Sequence, residues 1–258
     1  MPYLTKEQIE TIGARVVRAY SRLSIHHGQS VLRIEPKILA NELLGLTILY
    51  VKLATKEDIL GLTSPGEVDI GVIGEDGTFQ YQHIDGKTII VDSSLLEEDV
   101  IAGHLNFTLM HEVCHQIYKM LFPKAYALET KEGTIHYCRR RPRRSKTDWE
   151  EWRTDALAAA ILMPPELIRY YLHQYGFGDR MEMLNRVFAR SEYQRFTEMA
   201  HSLGVSKTAL AIRLRELHLI GRDYFTNPYD LVNVYVDDEW IRQEELDYAA
   251  LRCENEKS

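Results

Sequence analysis

Cysteine is scarce in this chain: three in 258 residues, Cys114, Cys138 and Cys253. An odd, sparse set makes no disulfide framework and suits a reducing compartment. Long apolar runs are missing too, and none approaches the ~20 residues that cross a bilayer. The opening stretch, Met1-Pro-Tyr-Leu-Thr-Lys-Glu-Gln8, has no basic segment leading into an apolar one. Neither a membrane span nor a secretory signal is expected, and the expected location is cytoplasmic. Positive charge is the minority sign, with 31 Lys and Arg against 38 Asp and Glu and a net charge of -7. That balance argues against a general nucleic-acid coat. What remains is an ordinary globular composition, 45% hydrophobic and 27% charged, long enough for one large or two small domains.

The first half alternates helix and strand signals. Ile9, Ile12, Val16, Tyr20 and Leu23 form one stripe, predicting a helix over 5–23 with Thr5 as its cap and Gln8 three residues on. A second helix is expected over 34–44, entered at Pro36 and closed by Gly45. Strands are expected over 46–53, 59–63, 68–73, 79–84 and 88–91. Turn residues at Pro65-Gly66, Glu75-Asp76-Gly77 and Asp85-Gly86 punctuate them, which predicts a small, mostly antiparallel sheet. A short helix is expected over 94–102, ahead of a much longer one.

The longer helix is carried by Asn106-Phe-Thr-Leu-Met-His-Glu-Val-Cys-His-Gln-Ile-Tyr-Lys-Met-Leu-Phe122. Leu109, Val113, Ile117 and Leu121 recur every four residues, so it reads as a buried helix, with Asn106 as N-cap and Pro123 as stop. On a helix, His111 and His115 share a face and can offer nitrogens to one ion, with Glu112 beside it. This is the H-E-x-x-H arrangement of a zinc hydrolase, in which the Glu is the general base. The motif is short enough to arise by chance, so a third ligand must support it.

Such a ligand comes from a second helix expected from Trp149 to the proline pair Pro164-Pro165. Glu151 and Asp155 lie one turn apart on it. Glu151 can complete a metal site holding one Zn2+ per chain, and Asp155 can accept the second N–H of a ligating His. Glu150 is the alternative ligand, with His136 and Cys138 as weaker rivals. Between the two helices, Tyr137 to Lys146 carries Arg139, Arg140, Arg141, Arg143 and Arg144, which reads as an exposed loop able to contact an acidic partner or phosphate. His136 and Tyr137 are candidates to stabilise an oxyanion. From Ala200, the residues Gly204, Val205, Leu210, Leu214 and Leu217 outline helix, turn, helix, with Lys207, Arg213 and Arg215 able to face phosphate. Acidic runs at 237–239 and 244–247 oppose DNA binding.

Three pieces together resemble the ImmA/IrrE family of metallopeptidases: Asn106 to His115, Glu151 to Pro164 ending in Ile161-Leu-Met-Pro164, and Ala200 to Ile220. The departures are Cys114, where the family commonly has Gly, and Arg153-Thr-Asp155, where it commonly has Glu-Ala-Asn. The resemblance implies an α+β, zincin-like metallopeptidase domain over 1–175 and a small helical, helix-turn-helix-like region over 176–258. It also implies an endopeptidase whose partner is a protein substrate, a helix-turn-helix repressor of phage or mobile elements. The competing expectation is a DNA-binding or protein-interaction regulator that keeps the peptidase fold as a scaffold.

Overall fold

A computed structural model describes residues 3–54, 59–97, 102–139 and 149–232. The fold is α+β. Helix α1 (Lys6–Tyr20) starts at a complete capping box, in which the Thr5 side chain accepts from the Gln8 N–H and Gln8 reaches back to the Thr5 N–H. The second expected helix is only a short α2 (Pro36–Ile38) that widens into a π-helical turn over Leu39–Leu43 and ends at Gly45, whose φ is +63°.

Five strands occupy the expected places: β1 (Thr47–Leu53), β2 (Ile59–Thr63), β3 (Glu67–Ile73), β4 (Phe79–Asp85) and β5 (Thr88–Asp92). A 3-10 turn over Ser93–Leu96 stands where the next helix was expected, and residues 98–101 lie outside the described ones. Helix α3 (Ala102–Leu121) carries the His111 motif, α4 (Ala127–Glu132) is one short turn, and β6 (His136–Arg139) returns to the sheet. Helices α5 (Trp149–Leu162) and α6 (Pro165–Gln174) meet at the proline pair. Then come β7 (Met181–Leu184), α7 (Arg190–Leu203), α8 (Lys207–Glu216) and β8 (Ile220–Asp223).

The six-stranded sheet has the order β4-β3-β1-β5-β2-β6. Its pairs are antiparallel except β1 with β5, so it is mixed rather than purely antiparallel. Side-chain alternation on β5 sets the two faces. Ile89 and Val91 enter the main core with the helices, while Ile90 joins a smaller cluster with Leu62, Ile70 and Ile84 on the other face. The main core runs from Leu4 through α3 and α5 to Leu214 on α8, so residues 176–214 share it with the first half of the chain. β7 and β8 form a separate parallel pair.

Three local expectations change. Asn106 does not cap α3, which begins at Ala102; its side-chain N–H donates instead to the Gly204 carbonyl at 2.8 Å, in the turn between α7 and α8. The basic stretch is not loop from its start, because Tyr137 to Arg139 belong to β6, paired with β2 and half-buried. Arg140, Arg141, Arg143 and Arg144 lie outside the described residues, as do the acidic runs beyond 232. Arg213 does not face phosphate. It is buried, pairs with Glu10 through two N–H groups and donates to the Met163 carbonyl, while Arg215 pairs with Asp223. Among the described residues no helix is long and apolar enough to cross a membrane.

Candidate metal centre

Leu109, Val113 and Ile117 pin one face of α3 into the core and hold the helix against the sheet. His111 and His115 therefore point the same way, both buried. Their Nε2 atoms stand 3.2 Å apart. Helix α5 packs across α3 and brings Glu151 to them. Its Oε2 lies 3.0 Å from His111 Nε2 and its Oε1 3.4 Å from His115 Nε2. These three groups are within range to hold a metal ion.

One turn along α5, Asp155 Oδ1 accepts from His111 Nδ1 at 2.8 Å. With a metal bound, that bond would keep the proton on Nδ1 and free the Nε2 lone pair for ligation. The histidines are 3% and 2% exposed, Glu151 30% and Asp155 56%, so the centre opens to solvent along α5.

Glu112 is fully buried beside His111. Its Oε1 accepts the Cys138 backbone N–H at 3.0 Å, and its Oε2 has no hydrogen-bond partner among the described residues. The sheet makes space for it at Gly61, where the β2–β6 register shifts. A Cβ there would meet Glu112 Cγ at 3.2 Å and Thr108 Cγ2 at 2.9 Å.

The rival ligands fall in other places. Glu150 Oε1 accepts from the Tyr126 hydroxyl at 2.6 Å and lies 4.0 Å from His115 Nδ1, on the side of that ring away from Nε2. The His136 ring stacks on His115 at 4.4 Å, and its Nε2 is 3.0 Å from Glu129 Oε2. Two further groups are close enough to hold an ion, His111 with Glu112 and Cys138, and His115 with His136 and Glu150. Tyr137 packs against the smaller cluster instead. Arg139 lies over the Tyr137 ring at 5.2 Å.

The electrostatics express competition for one positive charge. Burial lowers His111, but the Cys138 group, the hydrogen bonds to Asp155 and Glu151 and the Glu112 charge outweigh it and hold the imidazole well above its usual range. Burial drives His115 down to about 3 against the pull of Glu151. Burial also raises Glu151, yet its hydrogen bonds with both histidines hold the carboxyl well below the usual range. Burial pushes Glu112 up to about 8, with His111 opposing and Glu151 adding to the rise. Two nitrogens and a carboxylate thus converge on one point that favours a cation.

Sequence reasoning named His111, Glu112, His115, Glu151 and Asp155, and the fold brings all five together. It missed Gly61, the Cys138 N–H and Tyr126. Only Gly61 left a trace, as a lone glycine inside a strand. No known protein family matches the chain, and no curated protein matches it.

Proposed function

We propose that this chain is a zinc-dependent endopeptidase that holds one zinc ion through His111, His115 and Glu151. The spacing of the three donors carries the reading. Ligands in a tetrahedron around zinc, each at 2.0–2.1 Å, stand about 3.3 Å from one another. The donor atoms here are separated by 3.2, 3.0 and 3.4 Å. Two imidazoles with one carboxylate is a catalytic zinc set that leaves a fourth position free. The α+β architecture, with an H-E-x-x-H helix packed on a small sheet, fits a zincin-like domain.

Zinc, when bound, supplies a Lewis acid for the scissile carbonyl and lowers the pKa of the attacking water. Glu112 is suited to general-base work. Its Oε1 is fixed by the Cys138 N–H, which leaves the unpartnered Oε2 to accept a proton and later deliver it to the leaving amine. Asp155 holds the His111 ring in the tautomer that ligation needs.

The substrate class comes from the resemblance to the ImmA/IrrE family: a helix-turn-helix repressor. The α7–α8 pair, joined at Gly204, suits a small helix-turn-helix-like region. Of its three cations named for phosphate, Arg213 is buried, Arg215 is paired and Lys207 is exposed, which gives little support to direct DNA binding.

The test combines elemental mass spectrometry with proteolysis. Wild type should carry about one zinc per chain and Glu151→Ala should lose it. Glu112→Gln should keep zinc but cut a helix-turn-helix repressor at least ~10²-fold more slowly. Zinc-loaded wild type that cuts no member of a repressor panel would favour the scaffold reading. Wild type that takes up no zinc would end the peptidase reading.

A further inference from the structure

His115 has a second nitrogen to account for. A neutral imidazole that ligates through Nε2 carries its proton on Nδ1, so Nδ1 becomes a donor. In His111 that donor meets Asp155. In His115 the Nδ1 atom is buried and has no hydrogen-bond partner among the described residues. A carboxylate oxygen waits 4.0 Å away, Oε1 of Glu150. The Tyr126 hydroxyl donates to that same oxygen at 2.6 Å, and the Tyr126 ring is buried in the core. Tyr126 thus holds Glu150 behind the His115 ring and away from the Nε2 side. A side-chain shift of about 1 Å closes the remaining gap to ordinary hydrogen-bond length.

We propose that Glu150, anchored by Tyr126, is the positioning residue of His115, the counterpart of Asp155 at His111; this rests on the zinc reading above. Helix α5 then serves both imidazoles at once. Glu151 faces the two Nε2 atoms, Asp155 takes one Nδ1–H and Glu150 takes the other. A rival use of the same groups is a second cation between His115, His136 and Glu150, which are close enough for it. The chemistry disfavours that use. His115 would have to ligate through both nitrogens as an imidazolate, and His136 Nε2 is already engaged by Glu129 at 3.0 Å.

The experiment is zinc affinity by chelator competition on the full chain, for wild type, Glu150→Ala, Glu150→Gln, Tyr126→Phe and Glu151→Ala. Zinc per chain and the unfolding midpoint of each metal-free protein are measured alongside. Glu150→Ala should bind zinc about 10–100-fold more weakly. Glu150→Gln should recover most of that loss, because its amide oxygen still accepts from Nδ1–H. Tyr126→Phe should fall between, and the metal-free midpoints of the two Glu150 variants should agree. If Glu150→Ala fails to fold, Glu150→Gln and Tyr126→Phe decide. A Tyr126→Phe affinity equal to wild type, or a Glu150→Gln affinity as poor as that of Glu151→Ala, then overturns the proposal. Wild-type affinity in Glu150→Ala overturns it and leaves the zinc site standing. Two zinc ions in wild type and one in Glu150→Ala would establish the second cation site instead. Wild type without zinc overturns both this proposal and the function it rests on.

Discussion

Adding one carbon to Gly61 places it 3.2 Å from both Cγ and Oε1 of Glu112. The Thr108 methyl, 2.9 Å from the same point, crowds it further, so Thr108 and Glu112 must give way together. Gly61→Ala should therefore shift the carboxylate while sparing the His111, His115 and Glu151 donors. The expected outcome is unchanged zinc content with peptidase activity down about 10²-fold, the scale of a 1 Å misplacement at a reacting group. Metal analysis and a cleavage assay on one preparation would check it; equal losses of metal and activity would argue against it. At this scale the sequence was informative where chemistry tracks helical spacing. His111, Glu112 and His115 share three and four-residue offsets, and Glu151 and Asp155 repeat the four-residue one. It was silent where a partner arrives from another strand. Nothing near Gly61 or Cys138 in the sequence says that one clears room for Glu112 and the other donates to it.

Helix α3 starts at Ala102 because its first turn is held from outside. Gly103 abuts the backbone of Val205 and Ser206, and Asn106 donates to the Gly204 carbonyl. An Asn before an apolar run reads as a cap, and only the tertiary partner shows that this one is a strut. Asn106→Ala leaves that carbonyl without its donor, and a loss of about 1–2 kcal/mol is expected in chemical denaturation. A change under half of that would mean that water replaces the amide without cost. β6 was hidden for a related reason. Its arginine-rich continuation gives the composition of a solvated loop, while pairing with β2 is decided by the partner strand. The β1–β5 pairing was hidden too, since a parallel neighbour need not be adjacent in sequence. Strand positions were legible because Gly and Asp mark the turns between them.

Across the whole molecule, a buried tie joins the two ends of the main core, Arg213 to Glu10. The guanidinium is 1% exposed, bridges α8 to α1 and also donates to the Met163 carbonyl at the end of α5. Arg213→Ala should cost about 2–3 kcal/mol, less than a fully buried pair because Glu10 is 30% exposed and can turn towards water. Arg213→Met, which keeps the stem packing, should cost less than Arg213→Ala. Urea unfolding of both variants checks the order, and equal losses would place the whole cost in the ion pair and the Met163 bond. The same tie bears on biosynthesis. Glu10 and Arg213 are 203 positions apart. At ribosomal speeds Glu10 waits about 10–40 s for its partner to be made. Until then Leu214, which joins Leu210 in the main core, does not exist, and the Gly204 turn that braces α3 has only just appeared. The newborn chain therefore carries helix α3 unbraced for as long as it takes to make the residues between Leu121 and Gly204.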